Sequence, residues 1–238
     1  MILGLTGLTY EEMSVFKKFF RFCPKQVVAG AGKDEVANYL KNNYPCRVIP
    51  FAEPIKTFCK ELFDFSDEQL YGPSQKRIEP DKRYKLESKI NGADFLSSRI
   101  ALQIIGEAGR LCYANTWVNY AMKAAYALLD KNNLNNLDQK YQKYVFDGKY
   151  PISEVSIIVM PDIRYISEFD FLRKNGAKIV RIIRPVNKIP EIMLSGHPSE
   201  TGIINIPNNQ FDYILYNDFD IENLYNQINK MVKVLGII

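Results

Sequence analysis

Apolar and polar positions along the chain follow two rhythms. Short, nearly unbroken apolar runs at residues 2–7, 46–51, 155–160, 178–183 and 211–216, each bounded by Pro, Gly or Asp, have the length and composition of strands buried on both faces. Helical patterns fill the intervals at residues 33–42, 54–63, 95–109, 116–130, 167–175 and 221–235. This alternation predicts an α/β fold whose parallel sheet is covered on both sides. Residues 130–150 are rich in Lys and Asn and read as too polar for the core, hence as a surface connection or a mobile segment.

The first strand breaks off in an unusual place. MILGLTGLT is followed by twenty residues and then by GAGKDEVANYL, and excising residues 10–29 joins Gly7-Leu8-Thr9 to Gly30-Ala31-Gly32-Lys33, a complete G-x-x-x-x-G-K. Such a loop curls successive N–H groups around phosphates while its lysine reaches their outer oxygens. Read without the excision the pattern fails, because Val27 stands where the first glycine belongs. Tyr10, Met13, Phe16, Phe19 and Phe20 recur at roughly helical spacing, Pro24 ends that run, and Gln26-Val27-Val28-Ala29 returns extended. The reading is a helical excursion from a loop whose first strand stays central; in the alternative, residues 26–29 replace residues 2–9 as the strand. Loop closure adds only about 0.6 kcal/mol per doubling of length, so the excursion is thermodynamically tolerable.

Composition narrows the class. The chain has 238 residues and a formal charge of +4 without like-charge runs, which disfavours a nucleic-acid polymer as partner and leaves acidic small molecules. Its four cysteines show no metal-ligand spacing, so neither a disulfide nor zinc is expected. The start lacks a signal-peptide pattern, and no stretch of eighteen uncharged apolar residues occurs. The prediction is a cytoplasmic protein with no membrane partner, in the host cytoplasm if the source is viral.

Two constellations carry chemistry. Gly30-Ala31-Gly32-Lys33-Asp34 opens a helix, where free N–H groups and the helix dipole favour phosphate; a plain glycine turn is the alternative. Lys33 would neutralise charge on a transferred phosphoryl group, and Asp34 would hold Mg2+ directly or through water. Asp162 and Arg164 follow the third strand, at the end of a parallel sheet where ligands bind. There Asp162 would hold Mg2+ and Arg164 would fork onto a phosphate, or the pair would be a helix cap and a surface charge.

The chain resembles the deoxynucleoside monophosphate kinases of the bacteriophage type, within the P-loop nucleoside monophosphate kinase superfamily. The resemblance runs through Gly32-Lys33-Asp34-Glu35, Phe51-Ala52-Glu53-Pro54-Ile55-Lys56, Glu68-Gln69-Leu70-Tyr71-Gly72, Gly106-Glu107-Ala108-Gly109-Arg110, Thr116-Trp117-Val118, Asp162 to Glu168, Arg184-Pro185, His197 to Glu200 and Asn217-Asp218. It implies a single three-layer P-loop domain with a five-stranded parallel sheet, a helical monophosphate-binding region at about residues 54–130 and a lid at about residues 185–206. It further implies ATP and Mg2+ on the loop of Gly7, Gly30, Gly32, Lys33 and Asp34, with Asn217 near the adenine. A deoxynucleoside monophosphate would sit in the cleft between the sheet and the helical region, contacted by Lys56, Arg99, Arg110, Trp117, Arg164, Glu168, His197 and Glu200. Lys33, Asp162, Arg110 and Arg164 would be catalytic, and a homodimer is compatible. Trp117 would stack on a base or serve the core.

The split loop admits a second class of function, a catalytically impaired descendant that binds nucleotide or a protein. On sequence grounds the interrupted donor run costs affinity. Deleting residues 10–29 is therefore expected to tighten ATP binding at least about tenfold in titration, the worth of one or two recovered charge-assisted hydrogen bonds.

Overall fold

A computed structural model describes residues 1–12, 25–189 and 198–237, without the side chains of Pro198 and Glu200. Its strands are β1 (Ile2–Glu11), β2 (Gln26–Val27), β3 (Cys46–Val48), β4 (Lys85–Ile90), β5 (Ala93–Phe95), β6 (Ile157–Met160), β7 (Lys178–Val186) and β8 (Tyr213–Tyr216). The chain divides into two compact units, residues 1–50 with 120–238, and residues 51–119.

The first unit is built on a sheet ordered β3-β6-β1-β7-β8. These five strands are mutually parallel, as a P-loop NTPase-like α/β fold requires, and they coincide with the five apolar runs. A sixth strand, β2, pairs antiparallel with β1 through Thr9 and Tyr10. It adds an edge element to the five-stranded sheet expected from the sequence.

β1 is central because its residues have neighbours on both sides. β7 accompanies it from Leu3 to Glu11, while β6 accompanies only Ile2 to Gly4. The apolar sequence follows from this: Leu3 and Leu5 are fully buried among Val36, Leu40, Val159, Val180, Ile182, Leu224 and Ile228. Helices Lys33–Asn43 and Ile221–Val234 supply that layer. On the other face the position of Gly4 admits Ile163 and Leu172, since a Cβ there would lie 2.5 Å from the Ile163 side chain.

The inserted segment departs from the helical expectation at its start and matches the extended return expected at its end. β1 does not stop at Thr9 but continues to Glu11, and the return is β2, so the excursion leaves and re-enters extended. The pattern at Met13, Phe16, Phe19 and Phe20 lies outside the described residues.

Residues 130–150 correct the sequence reading. They form 3-10 turns at Leu134–Asn136 and Gln139–Tyr144 and bury Leu137, Tyr141 and Tyr144. Their anchor is Arg47 on β3, which is 1% exposed. Its guanidinium donates to the carbonyls of Tyr144 at 2.8 Å, Cys46 at 3.0 Å, Val145 at 2.8 Å and Tyr150 at 2.6 Å. A turn-rich segment has backbone acceptors that no ladder satisfies, and a planar five-donor group can gather several of them. Arg181 on β7 does the same for the segment before β8. It donates to the carbonyls of Ile206 and Ile203 and to the Asn208 side chain, with its guanidinium 4.1 Å from the Phe211 ring centroid. Burial lowers its pKa to about 10, which leaves it charged at neutral pH.

The second unit has its own core of Ile55, Cys59, Phe65, Leu70, Leu96, Ile100 and Ala101. It joins helices Glu53–Phe63 and Ser98–Cys112 to the hairpin β4–β5. The second helix begins at Ser98 because Ser97 accepts the Ile100 N–H as its cap, three residues later than periodicity suggests. Arg83 donates to Asp81 and to the carbonyls of Phe63 and Asp64, and it holds the Asp81 carboxyl well below the usual range.

Arg47→Met should destabilise the protein by about 3 kcal/mol or more, because several buried carbonyls lose their donor at once. Arg47→Lys, with fewer donors in a different geometry, should fall between. Urea denaturation checks both, and an unchanged midpoint for Arg47→Met would contradict the anchoring role.

Candidate active site

The site forms where β1 is followed by the helix Lys33–Asn43. That helix has Gly32 as its N-cap residue in the left-handed region, with no side-chain cap, so its first N–H groups are left for another acceptor. Lys33 is the first helical residue, 6% exposed, and its Nζ donates to the carbonyl of Val28 at 3.0 Å. A Cβ on Gly7 would lie 2.4 Å from the Val28 oxygen, 2.8 Å from the Ala31 Cβ and 3.4 Å from the Lys33 Nζ. Gly7 is thus required by close approach, and it stands beside Gly30, Gly32 and Lys33 despite the residues between them.

Asn217 joins this group. Its side-chain nitrogen donates to the Ala31 carbonyl at 3.0 Å and would lie 2.5 Å from a Cβ on Gly32, whose φ is +93°. Thr9 and Arg184, which the sequence did not mark as site residues, also reach the loop. The Thr9 hydroxyl donates to the Ala29 carbonyl at 2.7 Å, and Arg184 Nη1 donates to the Gly30 carbonyl at 3.3 Å. Both lay in quoted motifs, Thr9 in the joined loop pattern and Arg184 beside Pro185, but their shared place at the loop follows from strand register, in which Thr9 pairs with Arg184. Asp34 is exposed in the first helical turn.

Asp162 and Arg164 follow β6 and are half-buried. Glu168 is 2% exposed and accepts the N–H groups of Arg164 at 2.9 Å and Tyr165 at 3.2 Å. Its carboxylate caps the helix Ile166–Lys174 and thereby fixes the backbone at Arg164.

The second unit carries Lys56, Arg99, Arg110 and Trp117. Lys56 Nζ lies 4.3 Å from the Tyr71 ring centroid, and the Tyr71 hydroxyl donates to Glu53 at 3.0 Å. Arg110 Nη1 is 3.8 Å from Glu107, and Arg99 is half-buried near the start of the same helix. The Trp117 indole N–H donates to the Gly106 carbonyl at 2.9 Å, and its ring occupies the space a Cβ on Gly109 would need. These contacts describe a packing side chain. His197 and the side chain of Glu200 lie outside the described residues.

The donor set suits phosphate: a buried ammonium, unspent helix N–H groups and a glycine cradle that side chains would fill. Among the described residues, no group of three or more His, Cys, Asp or Glu could hold a metal ion. Mg2+ bound through one or two carboxylates together with substrate phosphates needs no such cage, and the exposed Asp34 fits that arrangement. No described helix is long and apolar enough to cross a membrane.

Comparison with known proteins agrees with this chemistry. The model of a family described as deoxynucleotide monophosphate kinase matches residues 133–228. A protein of Acanthamoeba polyphaga mimivirus, provisionally described as a deoxynucleotide monophosphate kinase, is 27% identical over 207 residues, 84% of this chain and 89% of the relative. The deoxynucleotide monophosphate kinase of Enterobacteria phage T4 is 30% identical over 105 residues, 43% of this chain and 41% of the relative. Alongside the parallel sheet and the lysine-bearing loop, these matches make the chain similar to deoxynucleotide monophosphate kinases, through the family model over residues 133–228 and through the two viral relatives.

Proposed function

We propose that the chain transfers the terminal phosphoryl group of ATP, with Mg2+, to a deoxynucleoside monophosphate, giving ADP and the diphosphate. The observation that carries this reading is the convergence of Gly7, Lys33 and the uncapped helix N-terminus on one loop. Phosphoryl transfer asks a protein for position and charge rather than for a covalent intermediate, and the loop supplies both.

Lys33 binds the outer phosphate oxygens of the donor. Its 6% exposure places the ammonium where charge interactions are weakly screened. Bound Mg2+ would neutralise phosphate charge, with Asp34 and Asp162 as the carboxylates to hold it. Arg164 forks onto the acceptor or transferred phosphate, and the Glu168 carboxylate bonded to its backbone N–H keeps that residue in place. Arg110, Arg99 and Lys56 are the cations that the family resemblance assigns to the acceptor. Asn217 belongs to the nucleotide end of the loop through its bond to Ala31.

ADP release measured across the deoxynucleoside monophosphates tests the proposal; folded protein that turns over none of them would refute it. Lys33→Ala should lower kcat/KM about a hundredfold or more, as loss of a pre-organised charge does, and retained activity would contradict the phosphate-loop assignment. Arg164→Ala should lower it by well over tenfold through loss of a bidentate phosphate contact; unchanged kinetics would remove Arg164 from the site. Gly7→Ala should weaken ATP binding in titration more than it lowers the melting temperature, because its Cβ would meet the Val28 oxygen at 2.4 Å inside the loop.

A further inference from the structure

Three side chains on three adjacent strands hold three successive carbonyls of the loop. Thr9 on β1 takes Ala29, Arg184 on β7 takes Gly30, and Asn217, one residue past β8, takes Ala31. The three stand at one level of the sheet: Thr9 pairs with Arg184, Ile183 pairs with Tyr216, and the Asn217 N–H donates to the Ile183 carbonyl at 2.8 Å. The loop therefore crosses the strand ends with its carbonyls tied, in order, to successive strands.

A trans peptide unit is planar, and its C=O and N–H point in opposite directions. No peptide bond among the described residues is cis. Holding the carbonyls of Ala29, Gly30 and Ala31 against the strand ends thus turns the N–H groups of Gly30, Ala31 and Gly32 away from them. Among the described residues these three N–H groups, and those of Asp34 and Glu35 in the first helical turn, have no acceptor. A row of like-oriented N–H groups leading into a helix N-terminus is an anion cradle. Two cations border it: the Lys33 ammonium, and the exposed Arg184 guanidinium, whose one hydrogen bond among the described residues is the 3.3 Å contact to Gly30.

We propose that Thr9, Arg184 and Asn217 are positioning residues for the donor nucleotide: their ties to three consecutive carbonyls rebuild the N–H run that the inserted residues interrupt. The proposal rests on the kinase reading and deepens it. Val28 and Ala29, the last residues of the stretch 10–29, then belong to the site, because their carbonyls are held by Lys33 and Thr9. This predicts the opposite of the sequence expectation for deletion of the stretch.

The test is steady-state kinetics of the full chain with ATP and the best monophosphate acceptor, for wild type, Thr9→Val, Thr9→Ser and Asn217→Ala. Each of Thr9→Val and Asn217→Ala should raise the KM for ATP about fivefold or more, the worth of one hydrogen bond, with the KM for the monophosphate unchanged. Thr9→Ser, which keeps the hydroxyl, should restore the wild-type value. Equal changes in both KM values, or a lowered melting temperature with unchanged KM for ATP, would assign the ties to stability alone and overturn the inference. Deletion of residues 10–29 should weaken ATP binding, and tightened binding would overturn it equally. A wild-type chain that folds but turns over no monophosphate would refute the kinase reading itself, whereas an active wild type with indifferent variants refutes only the positioning role.

Discussion

Backbone carbonyls that leave the regular ladder must find donors, and much of this fold follows from how that demand is met. A buried acceptor left unpaired costs about 1–3 kcal/mol, and among the described residues three irregular stretches beside the sheet show how this is avoided. Each is met by donors carried on the strands. Arg47 on β3 gathers residues 144–150, Arg181 on β7 gathers residues 203–208, and the Thr9, Arg184 and Asn217 side chains gather the loop before Lys33. Neutral carbonyls need no counter-charge, so an arginine can be buried among them at the cost of desolvation, visible in the lowered pKa of Arg47 and Arg181.

The same demand separates what was legible in the sequence from what was not. Five strands and six helices announce themselves, because burial on two faces enforces apolar runs and burial on one face enforces helical spacing. Residues 130–150 misled because composition averages over positions: the Lys and Asn lie outward while Leu137, Tyr141 and Tyr144 turn inward, and the donor that makes this affordable is on a strand some hundred residues earlier. The hairpin β4–β5 is mostly exposed and lacks a clean alternation. β2 is two residues long and exists only because β1 overruns its expected end.

At the site, the lysine, the glycines and the family motifs were readable because their chemistry is local. Gly7 could be joined to Lys33 by pattern alone, and the Lys33 ammonium 3.4 Å from where a Cβ on Gly7 would lie is the geometry such a join requires. Glu168 and Trp117 sit in matched motifs, yet their visible bonds go to the protein's own backbone. A motif preserves the residues that hold a site's frame together with those that touch substrate, and spacing alone does not distinguish the two. Thr9 and Arg184 stood inside quoted motifs without a role, because their place at the loop depends on which residues face one another across β1 and β7.

The β1–β2 pairing has an evolutionary consequence. Glu11 and Lys25 are joined by a hydrogen bond from the Glu11 N–H to the Lys25 carbonyl, so the two ends of the inserted stretch meet at a closed neck beyond the nucleotide loop. The most constrained motif of the fold is thereby closed by a strand pair, and Glu11 and Lys25 mark the junction at which evolution could graft a foreign module, or design a reporter.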